Sequence, residues 1–159
     1  MLNGFKKKEF VSAVICDIIK RSLLLIVFNS ERKWKRVQME NRELVLKVVE
    51  DYINSAYESD GVLTRKIFDD DARVTGHING KLIRQTKEDW AKFVEKNIPS
   101  PKEQGKSKSY KILMVEVGEE TAVVKVKSEY INIMFTDTLS FLRIDNEWKI
   151  YNKVFEATS

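Results

Sequence analysis

Apolar positions along the chain follow three different rules. Residues 10–28 form a nearly continuous apolar run, FVSAVICDIIKRSLLLIVF. Residues 41–68 and 86–98 carry apolar side chains at three- and four-residue spacing, the period of a helix with one buried face. From Tyr110 onward they alternate with period two, the signature of half-buried strands.

In the middle regime, Leu44, Val45, Val48, Val49, Tyr52, Ile53, Ala56 and Tyr57 share one helical face, and Asn41 is placed to cap a helix that runs to about Ser59. Gly61 interrupts it. A short second helix then turns Leu63, Ile67 and Phe68 inward and ends at Asp69-Asp70-Asp71. Adjacent carboxylates diverge, so this triplet reads as a solvated turn rather than a metal site. Ala72–Gly76 reads as a short strand, and Asn79-Gly80 as a hairpin turn, because both residues tolerate positive φ. Thr86 to Asp89 has capping-box spacing and opens a third helix whose face is Trp90, Phe93, Val94 and Asn97. Pro99-Ser100-Pro101 stops it. Four strands follow: 110–117, 121–130, 134–143 and 147–155, with turns at Gly118-Glu119 and Asp145-Asn146. The element order predicts an α+β domain, an antiparallel sheet covered on its concave face by helices.

Composition sharpens the division of the chain. The 159 residues carry a formal charge of +4. Residues 1–40 hold nine basic and four acidic side chains, and the remaining 119 hold 19 and 20. The basic excess therefore belongs to the first quarter, and the near-neutral body offers no electrostatic case for nucleic acid. Trp34 among Lys33, Lys35 and Arg36 is read as a helix-edge residue rather than a base-stacking platform. Lys6-Lys7-Lys8 before the apolar run resembles the front of a signal peptide. Asp17, Lys20 and Arg21 break the run, however, and Leu23–Phe28 is too short to span a bilayer. Two readings of residues 1–40 stay open: an extra amphipathic helix, packed on the domain or lying on a membrane surface, or a mis-assigned start, with the native chain beginning at Met39. The second is preferred. The expected organisation is an N-terminal extension over 1–40 and one domain over 41–159. A single cysteine, Cys16, and a single histidine, His77, exclude an intrachain disulfide and a Cys- or His-rich metal centre, and favour a cytoplasmic protein.

Four stretches carry a family resemblance: Val48-Val49-Glu50-Asp51-Tyr52-Ile53, Ile67–Val74, Asp137-Thr138-Leu139-Ser140-Phe141 and Trp148–Phe155. Over about residues 41–156 the chain resembles the nuclear transport factor 2-like superfamily, the cone fold, and within it the putative lumazine-binding proteins. The resemblance implies a curved sheet wrapped by three helices around a pocket, and homodimerisation through the sheet. It does not imply one activity, because this superfold hosts isomerases, cyclases, dehydratases, carriers and interaction modules.

The last hairpin yields a geometric expectation. A two-residue turn at Asp145-Asn146 opposes Ile144 to Glu147; continued without interruption, it pairs Phe141 with Ile150, Leu139 with Asn152 and Asp137 with Val154. Leu139, Phe141, Trp148, Ile150 and Val154 would then share one face, an apolar wall into which Asp137 and Asn152 project, the make-up of a small-ligand site. Lys153, of opposite parity, is expected on the outer face. Tyr52, Tyr57, Trp90 and Tyr130 complete the expected lining. Asp137 is the candidate general acid or base, since desolvation raises a carboxyl pKa. His77 is a weaker proton carrier beside a hairpin turn. Ketosteroid isomerase, a cone-fold relative, pairs two pocket Asp residues, and no second acid is evident here.

The expected function is therefore non-catalytic binding of a small apolar or heteroaromatic molecule. The alternatives are an isomerase, dehydratase or cyclase that uses Asp137, and a dimeric interaction module with a filled cone. No cofactor or metal is expected. Membrane contact is expected only if residues 1–40 are native and amphipathic. No phosphate-cradling glycine loop, G-x-S-x-G elbow or H-E-x-x-H pair is present.

Overall fold

The computed structural model describes the backbone of residues 3–158 and the side chains of residues 30–158. The expectations for the apolar run, for Lys6–Lys8 and for Cys16 lie outside the described side chains. The chain divides into two units, Met1–Met39 and Glu40–Ser159. Helix α1 is continuous over Asn3–Glu58. In the first unit, residues 30–36 are exposed, including Trp34. Among the described residues, no helix is long and apolar enough to cross a membrane.

The second unit adds α2 (Gly61–Ile67) and α3 (Lys87–Glu95) to six strands: β1 (Phe68–Ile78), β2 (Lys81–Thr86), β3 (Tyr110–Val117), β4 (Thr121–Tyr130), β5 (Ile133–Ile144) and β6 (Glu147–Thr158). They form one curved, unclosed sheet in the order β2-β1-β6-β5-β4-β3. All pairings are antiparallel except β1 with β6, which is parallel. The fold is thus the α+β cone expected, with one parallel pair in a sheet expected to be wholly antiparallel. Strands β1 and β6 are joined through β2, α3 and the other strands and not by a hairpin, so they are free to run parallel.

Local chemistry explains the boundaries. Asp60 caps α2, accepting from Leu63 N at 2.8 Å. The Thr86–Asp89 capping box is formed, satisfying two helix-end donors reciprocally. Asn79 and Gly80 both take positive φ in the β1–β2 turn, as do Asp145 and Asn146 in the β5–β6 turn. Asn41 corrects its expectation. The helix does not begin there, so Asn41 cannot be a cap. Its side chain is buried and donates to Gly118 O at 3.2 Å, tying α1 to the β3–β4 turn. Leu44, expected inward, is 41% exposed. The acidic triplet lies within β1, not at a helix end. Phe68 pairs with Ile150 and Arg73 with Asn152, so residues 69–72 bulge out of the ladder. Asp71 N donates back to Asp69 Oδ1 at 3.0 Å. Among the described residues, no acidic, Cys or His cluster could hold a metal.

The core runs between α1 and the inner face of the sheet: Val45, Val49, Tyr52 and Ile53 pack with Phe68, Val74, Val124, Val126, Leu139, Phe141 and Ile150. Arg65 on α2 bridges Glu88 (2.7 Å) and Glu95 (2.5 Å) on α3. The guanidinium holds the Glu88 carboxyl down at about 2. This clamp is on the surface, so it fixes helix orientation more than it adds stability.

Gly76 marks the closest approach in the sheet. It pairs with Phe155 across the parallel β1–β6 ladder, and a Cβ there would collide with the Phe155 carbonyl oxygen and lie 2.6 Å from its ring. Gly76→Ala is therefore expected to lower unfolding stability by about 1–3 kcal/mol, the cost of overpacking a closed site. A denaturant titration giving an unchanged midpoint would show that β1 and β6 separate easily.

Candidate functional site

The position of the site depends on one irregularity. The β5–β6 ladder follows the expected register from Ile144↔Glu147 to Phe141↔Ile150, then shifts, pairing Ser140 with Asn152, Leu139 with Lys153 and Asp137 with Phe155. Tyr151 is the extra residue of a β-bulge, and everything beyond it changes face. Three expectations are corrected by this. Asn152 and Val154 do not project inward with Asp137, and Lys153 does not point outward. Lys153 is fully buried, whereas Val154 is 51% exposed.

Lys153 Nζ reaches the Tyr52 hydroxyl at 2.5 Å and Asp137 Oδ1 at 3.2 Å. The Tyr52 hydroxyl donates to Asp137 Oδ2 at 2.7 Å. Asp137, Lys153 and Tyr52 are all buried, one from each of β5, β6 and α1. The ammonium is boxed by aromatic faces: Trp90 at 4.1 Å from the ring centroid, Phe155 at 5.0 Å, and Tyr52 and Phe135 at 5.1 Å. Burial pushes the Lys153 amine below its ordinary value, and Asp137 opposes the shift. Burial and the neighbouring Asp137 charge push the Tyr52 phenol well above its ordinary value.

Tyr52 and Lys153 of this cluster line the inner end of a cavity of about 340 Å³. Tyr52, Ile53, Ala56 and Tyr57 come to it from α1, Trp90 from α3, Ser128 and Tyr130 from β4, Phe135 from β5 and Lys153 from β6. Its outer part is made by Pro101, the loop Lys106–Ser109 and the β4–β5 turn at Ile131-Asn132. The hollow is open, not filled. Its volume lies at the lower end of the range for small-molecule pockets. Trp90 Nε1 is buried in its wall without a hydrogen-bond partner, and the Tyr130 hydroxyl is buried beside the Asn97 side chain. Burial pushes the Tyr130 phenol up to about 12, the Asn97 side chain opposing the shift.

Of the expected lining, Tyr52, Tyr57, Trp90 and Tyr130 do surround the cavity. Leu139, Phe141 and Trp148 are buried in the core and are not among its lining residues. Asp137 is buried on the inner face but does not line the cavity; it meets the lining through Tyr52 and Lys153. His77 is exposed on β1, in register with Leu82 and Glu156, and takes no part. Lys153 was missed, although a signal for it exists. Trp148 and Ile150 set one parity and Phe155 and Ala157 the other, so the apolar alternation itself changes phase between them.

The family profile described as "Putative lumazine-binding" matches residues 40–156. The chain belongs to the putative lumazine-binding family. No curated protein is significantly similar to this family member in sequence. Its fold is similar to nuclear transport factor 2-like proteins of unknown function from Silicibacter pomeroyi (21% identity, TM-score 0.67, covering 75% of this chain and 97% of that one) and Methylobacillus flagellatus (24%, 0.65, 74% and 91%). It is also similar to a ketosteroid isomerase-like protein from Erwinia carotovora (12%, 0.57, 76% and 98%). At these identities the likeness shows the nuclear transport factor 2-like fold alone.

The buried cluster makes two measurable demands. Asp137→Ala leaves the Lys153 ammonium without its counter-charge and is expected to cost about 3–5 kcal/mol. Lys153→Met combined with Asp137→Leu should recover most of that loss, because an apolar pair of similar volume removes both desolvation penalties. Chemical denaturation of the three proteins checks the order. The pH dependence follows from the two shifts. Below its ordinary 10.5, the folded state releases the Lys153 proton before the unfolded chain does, so stability rises as pH climbs through that window. Above pH 10 the unfolded chain ionises Tyr52 while the folded state keeps its proton, so stability falls. Lys153→Met should flatten the rising limb and Tyr52→Phe the falling one. Unchanged limbs in either variant would mean that the cluster does not titrate as a buried unit.

Proposed function

We propose that this domain binds a small planar molecule in the cavity between α1, α3 and the inner sheet face, as the family's name suggests, without catalysing its conversion. The observation that carries this reading is the unpartnered donor Trp90 Nε1, buried in a wall that it shares with Tyr52, Tyr57, Tyr130 and Phe135. A buried donor without a partner costs about 1–3 kcal/mol, and a ligand with a ring nitrogen or carbonyl oxygen would supply the acceptor. Trp90 is stacked on Phe93 with ring centroids 5.3 Å apart, which stiffens one side of the slot.

A proton-transfer enzyme using Asp137 has weaker support. Its carboxylate is engaged by Tyr52 and Lys153 and lies off the cavity lining. A filled interaction module is disfavoured by the open volume. We also propose, from the single cysteine and from the exposed outer sheet face, a cytoplasmic homodimer. Met114, Lys125, Thr138 and Val154 lie in one row across β3, β4, β5 and β6, and its two ends are exposed apolar side chains.

Thermal unfolding with lumazine, a pterin and a flavin tests the binding reading. A true ligand at 100 times its Kd should add ~2.7 kcal/mol. Ala56→Trp, which fills the cavity, should remove the effect. A shift that survives Ala56→Trp would place the ligand elsewhere. Val154→Glu should convert a dimer to monomer in sedimentation, and an unaltered molecular mass would exclude this face.

A further inference from the structure

The two ends of the cavity differ in charge. At the inner end Lys153 is neutralised by Asp137 at 3.2 Å, leaving no net charge. The outer end carries Lys106, half-buried, and Lys108, exposed. Both are held in place by neutral amides: Lys106 Nζ donates to Asn132 Oδ1 at 3.0 Å and Lys108 Nζ to Asn54 Oδ1 at 2.8 Å. Neither has a carboxylate partner among the described ion pairs. The acid in the cavity lining other than these groups, Glu129, sits on β4 between inward-facing Ser128 and Tyr130, so its side chain lies on the opposite face of the sheet. Its backbone N–H meets Ser109 O at 3.4 Å, which closes the loop onto the strand. The exposed hydroxyls of Ser107 and Ser109 stand on the same loop.

We propose that the cavity selects amphiphilic anions: a flat, mainly apolar ring body inside, carrying one acidic group that emerges at the mouth between Lys106 and Lys108. This deepens the binding reading above and rests on it. Two ammonium groups pinned by neutral amides have no carboxylate to spend their charge on, and the amides tether Lys106 to the β4–β5 turn and Lys108 to α1. The inner end favours neutral acceptors, because its one cation is already spent on Asp137.

Two probes with the same rings separate the claims: 1-anilinonaphthalene-8-sulfonate and its uncharged analogue N-phenyl-1-naphthylamine, titrated by fluorescence against the full chain. The sulfonate should bind more tightly, and its advantage should shrink as salt rises. In Lys106→Ala/Lys108→Ala, the ratio of the two affinities should fall about fivefold, the size expected of two exposed charge contacts. In Lys106→Arg/Lys108→Arg the ratio should be restored, which separates charge from loop damage. Ala56→Trp should abolish binding of both probes, locating them in the cavity. If both bind there and the ratio does not respond to the lysines or to salt, the anion claim fails and the binding reading stands. If neither binds, both fail.

Discussion

A single extra residue in β6 governs the interior of this protein. Without the bulge at Tyr151, the strand would carry Asn152 and Val154 inward and leave Lys153 in solvent. With it, Lys153, Phe155 and Ala157 enter the core. A lysine driven inward must find a counter-charge, because an isolated buried ammonium costs several kcal/mol. Asp137 supplies it from the neighbouring strand, and Tyr52 on α1 accepts from the lysine and donates to the acid. Sheet, helix and ion pair are thereby locked into one arrangement.

That arrangement places the cavity. The Lys153 ammonium occupies the space below Trp90 and among Phe135, Phe155 and Tyr52, so these rings close the inner end. The hollow then opens toward the Lys106–Ser109 loop and the β4–β5 turn. A cone built on the same helices and strands with an apolar residue at 153 would have a different floor, one without charge or preferred donor direction. The polar cluster is thus a device for specifying the shape and polarity of the pocket more than a source of stability, in keeping with the small or unfavourable net worth of buried ion pairs.

The family and fold were legible because they rest on local rules. Helix spacing in 41–59 and 86–98, the Thr86–Asp89 box, the Asn79-Gly80 turn and period-two alternation after Tyr110 each depend on a few neighbouring residues. The structure keeps nearly all of them, extending β5 to Ile133–Ile144 and β6 to Thr158. Tyr52, Tyr57, Trp90 and Tyr130 were legible as pocket residues for the same reason: each sits on the apolar face of a regular element. Asn41 was misread because a cap and a mid-helix residue that hydrogen-bonds a distant turn look alike in sequence.

By itself, the amino-acid sequence determined the elements, their order, the turns and the family, since these follow from short-range periodicity and backbone preference. It also placed Asp137 on the inner face. Tertiary structure alone decided which partner that carboxylate finds, that Asn152 turns away, that His77 stays in solvent, and where the cavity opens. Each of those outcomes depends on register beyond a bulge, on strands paired across more than 70 residues, or on a loop laid against a distant turn. In each case the governing contact joins residues whose proximity no local pattern encodes.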